Sequence, residues 1–143
     1  MNLEEKQQII LNYFKIGNYK EALIRSKVIL RENPNNPNIH NMVGMAHFQM
    51  GNIENSIQYF QNSLELFSDN LPAINNIANA YKKKADYKKA EEFYKLGLKK
   101  KPDYLNLLVN FANFKMDINQ VEGAINIYKK VLAVDPKNYL IYF

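Results

Sequence analysis

Residues 71–104 read LPAINNIANAYKKKADYKKAEEFYKLGLKKKPDY, and two helices are legible in them. Ile74, Ile77, Ala78 and Tyr81 recur at the spacing of one helix face; after a break at Ala85-Asp86, Tyr87, Ala90, Phe93, Tyr94 and Leu98 form a second face. Asp86 stands where an N-cap is needed, and Pro102 stops the second helix. The stretch is a helical hairpin.

Shifting the chain over itself by 34 residues shows that the hairpin repeats. One column holds Ala22, Ser56, Ala90 and Ala124, and another Pro34, Ser68, Pro102 and Pro136. Further columns are Ile9, Val43, Ile77 and Phe111; Ile10, Gly44, Ala78 and Ala112; Ser26, Phe60, Tyr94 and Tyr128; and Leu30, Leu64, Leu98 and Leu132. Asn18 and Asn52 share the column of Asp86, preceded by Gly17 and Gly51, the residue type that commonly ends a helix in a left-handed turn. Four units follow, about 3–36, 37–70, 71–104 and 105–138, with Tyr139 to Phe143 as the start of a truncated fifth.

Composition narrows the function classes. A chain of 143 residues, 47% hydrophobic and 23% charged with 5 Gly and 5 Pro, is one foldable, helix-tolerant domain. The absence of cysteine removes disulfides, thiolate nucleophiles and thiolate metal sites. No apolar run approaches the ~18 residues of a membrane span, and the opening MNLEEKQQ puts acids where a signal peptide has bases. The expected compartment is cytoplasmic. The net charge of +5 sits in the second half, densest from Lys82 to Lys101. The 21 Asn and 17 Lys also reflect a biased composition, which weakens any argument from either residue type alone.

These columns resemble the tetratricopeptide repeat family, whose W-x2-L-G-x2-Y…A-x3-F…P pattern they follow over nearly the whole chain. The resemblance implies an all-α, right-handed α-solenoid of four helical hairpins, its first helices lining a concave face and its second helices a convex one. Departures are Lys6, His40, Ile74 and Leu108 in the Trp column, Ile10 where a small residue is expected, and Lys115 in place of Tyr. Lys6 and a weak first unit suit a terminal repeat that faces water on one side. The apolar ending YLIYF caps nothing, so a longer chain is expected. The resemblance is to amino-terminal repeat arrays of bacterial proteins that carry a glycosyltransferase or sulfotransferase domain downstream.

Chemistry is harder to find. His40 and His47 are seven residues apart on one helix face, but both fall in core columns and no third ligand joins them, so a metal is not expected. Asp86, Glu91 and Glu92 read as capping and surface charge. Phosphate-binding glycine motifs and the G-x-S-x-G elbow are missing. The expectation is no enzyme, no catalytic residue and no cofactor. The lysines divide between the faces, Lys82 and Lys83 inward and Lys88, Lys95, Lys99 and Lys100 outward, which makes nucleic acid an unlikely ligand.

The inward slots are rich in amides. Mapped through the resemblance, they include Asn41, Met42, Met45 and Phe48, then Asn75, Asn76 and Asn79, then Asn106, Asn110 and Asn113. Columns pair Asn41 with Asn75, Asn76 with Asn110, and Asn79 with Asn113. An amide offers donors and an acceptor that match a peptide backbone whatever its side chains. The alternative origin of the row is the Asn-rich composition. A similar ladder lines the superhelix of O-linked N-acetylglucosaminyltransferases, whereas the cationic clamp of chaperone-tail receptors is absent, its slots holding Gln7, Leu11, Met42, Pro72 and Asn76. The leading expectation is a scaffold that binds an extended protein or peptide segment in the groove. The alternatives are the substrate-presenting front of a larger transferase and an RNA-binding repeat.

Overall fold

The computed structural model describes residues 1–138. Among these there is no strand, and eight helices follow one another: α1 (Leu3–Lys15), α2 (Tyr19–Glu32), α3 (Pro37–Gln49), α4 (Ile53–Leu66), α5 (Leu71–Lys83), α6 (Tyr87–Lys100), α7 (Leu105–Asp117) and α8 (Val121–Val134). Corresponding helices start 34 residues apart, so the period of the sequence is the period of the structure. The expected start of a fifth unit, Tyr139 to Phe143, lies outside the described residues.

Each hairpin turns through the same pair of backbone bonds. In the first, the N–H of Asn18 donates to the Tyr13 carbonyl at 2.9 Å and that of Gly17 to Phe14 at 3.1 Å; the pairs recur at Asn52 and Gly51, Asp86 and Ala85, and Gln120 and Asn119. This is the Schellman arrangement, which needs a left-handed residue after the helix. Gly17 and Gly51 supply it at φ +74° and +82°. Ala85 and Asn119 take the same conformation, at 67° and 63°. For Ala85 that conformation costs about 1–2 kcal/mol, because its Cβ crowds the following carbonyl.

The expected caps hold in part. The side chains of Asn18 and Asp86 accept from the N–H groups of Glu21 and Lys89. Asn52 makes no such bond; its amide lies 3.3 Å from Nδ1 of His47, on the buried end of the preceding helix. The prolines act as expected: Asn33, Lys101 and Asp135, each before a Pro, leave helical geometry, with φ between −133° and −144°.

Volume is traded between helices of a hairpin. A Cβ on Gly44 would lie 2.6 Å from the Phe60 ring, so α3 and α4 touch here only because Gly44 has none. The same two columns hold Ala78 and Tyr94 in the third unit and Ala112 and Tyr128 in the fourth. In the first unit the trade is reversed: Ile10 is large and Ser26 small, both fully buried. That reversal explains Ile10 as a repacked core position. Ala22, Ser56, Ala90 and Ala124 are likewise inaccessible, as a close helix contact requires. Tyr94 stacks on Phe111 of the next repeat at 5.3 Å between centroids, and burial of rings like these supplies about 1.5–3 kcal/mol per side chain.

Curvature follows from which helices meet. α3 touches α5, and α5 touches α7, whereas second helices of successive repeats make at most marginal contact. The first helices are therefore the inner wall of the curve and the second helices the outer one.

Candidate functional site: the concave amide row

The structure joins the groove asparagines to one another, but with an offset. Nδ2 of Asn76 donates to Oδ1 of Asn41 at 2.9 Å, and Nδ2 of Asn110 to Oδ1 of Asn75 at 2.9 Å. Both pairs are 35 residues apart, where the columns pair residues 34 apart. Equivalent residues point the same way, so a bond between parallel neighbours must join the trailing side of one helix to the leading side of the next. Asn41 and Asn75 face forward, and Asn76 and Asn110 face back.

Asn79 and Asn113 do something different. The hydroxyl of Tyr94 donates to Oδ1 of Asn79 at 2.6 Å, and that of Tyr128 to Oδ1 of Asn113 at 2.5 Å. Tyr94 is fully buried, and burial pushes its phenol well above its ordinary pKa, with Asp117 adding to the effect. Such a hydroxyl requires an acceptor. The column confirms the logic: where the second helix has Phe60 or Ser26 instead of Tyr, the first helix has Met45 or Leu11 instead of Asn. With their oxygens engaged, Asn79 and Asn113 are left with NH2 groups that have no partner among the described residues.

The other expected groove residues are dispersed in depth. Met45, Phe48, Asn76 and Asn79 come together around a recess of about 120 Å³, with Gln49 and Phe60 completing it. Asn106 and Asn113 are exposed, while Asn75 and Asn110 are half-buried. Asn41 is 8% exposed and spends its second polar atom on the Met45 sulfur at 3.8 Å. Met42 is buried in the core cluster with Ile10, Ala22, Ile29, Ile39 and Ala46, so it does not reach the groove surface.

The tyrosines were missed by sequence reasoning as part of this site, although their pairing with Asn at a fixed separation of 15 residues was visible in it.

The histidines serve packing. Tyr59 stacks against His47 at 5.4 Å and lies 6.1 Å from His40, whose Nε2 bonds the Pro34 carbonyl at 2.8 Å. Among the described residues no cluster of three His, Cys, Asp or Glu side chains is placed to hold a metal. Lysines are matched to acids of neighbouring elements: Lys82 with Asp117 at 2.5 Å, Lys84 with Glu54 and Lys100 with Asp69 at 2.7 Å, and Lys115 with Glu91. Of the nine lysines from Lys82 to Lys101, Lys82, Lys84, Lys95 and Lys100 are engaged in ion pairs. A larger recess of about 410 Å³ crosses the amino-terminal end of the array, its rim charges paired as Lys6 with Glu32 and Arg25 with Glu21.

A regular solenoid with a concave row of side chains defines a class of interaction scaffold. Models of the tetratricopeptide repeat match residues 36–103 and 85–142, and the chain belongs to that family. Its fold is the all-α, right-handed solenoid of four hairpins, and repeats of this family generally bind protein partners. Among curated proteins it is 27% identical over 122 residues to protein O-mannosyl-transferase TMTC3 of Homo sapiens, a match covering 75% of this chain and 13% of that protein. It is 26% identical over 125 residues to Superkiller complex protein 3 of Homo sapiens, covering 87% of this chain and 8% of that one. The chain thus spans a small fraction of these relatives. Among solved structures, MamA superposes with a TM-score of 0.78 at 19% identity, over 95% of this chain and 80% of that one. A MamA structure from Desulfovibrio magneticus RS-1, residues 41 to the end, gives 0.77 at 20% identity, covering 96% and 78%. At such identities the likeness is one of fold. No helix among the described residues is long and apolar enough to cross a membrane.

Proposed function

We propose that the chain is a non-catalytic scaffold that takes an extended peptide segment along its concave face. One observation carries this reading: Asn79 and Asn113, on successive inner helices, have their oxygens engaged by tyrosines and their NH2 groups without a partner among the described residues, and Asn79 lines the recess edged by Met45 and Phe48. Amide donors grip a main chain whatever its sequence, and thioether and phenyl groups adapt to varied side chains. The contacting set we assign is Met45, Phe48, Asn75, Asn76, Asn79, Asn106, Asn110 and Asn113; Asn41 and Met42 support it from below. The cytoplasm is the proposed compartment, because a cysteine-free chain draws no stability from an oxidising one.

Selection of displayed random peptides on the intact chain, followed by amide chemical-shift mapping, tests the proposal. Binders should perturb α3, α5 and α7. Binders that map to α4, α6 and α8 would overturn it.

The likeness to an O-mannosyl-transferase favours a second reading, in which the array presents substrate to a catalytic domain of the same polypeptide. A full-length polypeptide that carries such a domain beside these repeats would support it, and one without any such domain would end it. The division of the lysines between the inner α5 and the outer α6 weighs against the RNA alternative, which a salt-insensitive affinity for oligonucleotides would dismiss.

A further inference from the structure

The concave face offers acceptors as well as donors, and they come in pairs. Asn76 gives its Nδ2 to Asn41 and keeps an Oδ1 without a partner among the described residues. Asn79, three residues on, accepts from Tyr94 at its Oδ1 and keeps an NH2 group without one. Asn110 and Asn113 repeat the pattern on α7 through their bonds to Asn75 and Tyr128. Residues three apart are neighbours on a helix face. α5 and α7 therefore each set one acceptor beside one donor, and each amide is held in that sense by the bond at its other end. An extended peptide residue carries the complement: its own N–H and C=O point to the same edge of the strand, as in the hydrogen-bonded pairs of an antiparallel sheet.

The pair on α5 also lines a recess. About 120 Å³ lies between α3 and α5, walled by Met45, Phe48 and Gln49 as well as the two amides, with Phe60 at its base. Phe60 is 1% exposed, so the recess reaches the core. Two columns set its place in the array. One repeat earlier, the slot of Asn76 holds Met42, a buried side chain; one repeat later, the slot of Phe48 holds Lys82, tied to Asp117 of α7. Away from the amides and the exposed Gln49, the lining is thioether and phenyl. An apolar cavity of about 150 Å³ takes benzene. The smaller recess suits a branched aliphatic group and is too small for an indole.

Given the peptide scaffold proposed above, on which this rests, we infer that the recess is a subsite for one leucine-like side chain of an extended segment, whose own N–H donates to Asn76 and whose own C=O accepts from Asn79. Met45 and Phe48 set the size of the side chain. The free oxygen of Asn76 selects against proline at that point, which has no N–H to give.

The probe is a single capped residue, N-acetyl-leucine methylamide, which holds the side chain, the N–H and the C=O. It is titrated into the intact chain while the Met45 methyl and the asparagine NH2 resonances are followed. It should shift the Met45 methyl and the NH2 signals of Asn79. The alanine analogue should bind roughly tenfold to a hundredfold more weakly, as loss of a buried aliphatic side chain implies, and the tryptophan analogue should gain nothing over alanine. The N-methylated leucine analogue, which lacks the N–H, should bind about threefold to tenfold more weakly. Asn76→Ala removes the acceptor and should bind both leucine probes alike. The comparisons among probes are made on the parent, so they hold whether or not Asn76→Ala folds.

Equal affinity for the alanine and leucine probes overturns the inference, and so does tighter binding of tryptophan, since either shows that the recess does not sort side chains by size. Undiminished binding of the N-methylated probe to the parent overturns it too. If the leucine probe leaves Met45 and Asn79 unmoved near its solubility limit while displayed peptides map to α3, α5 and α7, the subsite falls and the scaffold reading stands. If displayed peptides also miss those helices, both fall together.

Discussion

Replacing Asn79 by Met isolates what holds the groove amides in place. The change removes the acceptor 2.6 Å from the hydroxyl of Tyr94, a residue with no solvent exposure, and that hydroxyl has no other partner among the described residues. A buried hydroxyl left unpaired costs about 1–3 kcal/mol. With an unfolding entropy of about 2.1 cal/mol/K per residue, that is a fall of roughly 3–10 °C in melting temperature for a chain of this size. Tyr94→Phe alone leaves only a half-buried amide oxygen, which water can reach, and should cost about 0.5–1.5 kcal/mol. The double variant copies the Met45 and Phe60 combination of the second unit and should return to within about 0.5 kcal/mol of the parent. Urea unfolding of the four proteins, read by circular dichroism, closes the cycle. Additive losses, or an Asn79→Met variant as stable as the parent, would mean that the hydroxyl is not held by Asn79, and the fixed amide orientation would fall with it.

Other perturbations test the frame around this site. Ala85→Gly should raise stability by about 0.5–1 kcal/mol, since relief of the left-handed Ala85 outweighs the added freedom of the unfolded chain; an unchanged urea midpoint would contradict the turn geometry. Ala90→Leu should cost about 1–3 kcal/mol by overpacking a position with no free space, measured by thermal melts. Lys115→Met removes the closer of the two lysines on Glu91, leaving Lys95 at 3.6 Å, and should cost about 0.5–1.5 kcal/mol, whereas Lys115→Tyr with Glu91→Ile, which copies Tyr81 and Ile57, should restore the loss in the same urea assay. His47 is held below its ordinary pKa of 6.5 by burial and by Lys27. The unfolded chain therefore binds the proton more readily, and this contribution to stability is full above 6.5 and shrinks as pH falls below it. Melts at pH 7.5 and 5.5 should show the drop, and His47→Gln should flatten it.

The repeat was legible because a packed interface between identical units imposes the same residue class at every 34th position. The turns were legible for a related reason: Gly17 and Gly51 announce a left-handed residue by type, and Ala85 is identified by its column although nothing in alanine itself predicts that geometry. The caps were less so. Asn52 stands in a capping column, yet His47, present in this unit alone, draws its amide away. Depth within the groove was also hidden, because the slot that is half-buried at Asn76 is closed over Met42, one repeat nearer the amino terminus. A column states which way a side chain points and not how far its neighbours extend past it.

The two explanations of the amide row, ligand recognition and biased composition, are separated by the pairs rather than by the count. A composition bias places Asn without regard to the residue 15 positions later. Yet in the column of Leu11, Met45, Asn79 and Asn113 the amide stands only opposite a tyrosine, and an apolar residue stands opposite Ser26 and Phe60. Asn79 is thus required by the core, which needs an acceptor for the buried hydroxyl of Tyr94, whereas Asn113 and the half-buried Tyr128 repeat the pairing where water also reaches it. The same requirement determines what they show to the groove, since an oxygen committed inward leaves the NH2 group outward. Under the proposed function, a change at Tyr94 on a second helix therefore alters, through Asn79 on the first, the donor that the concave face presents.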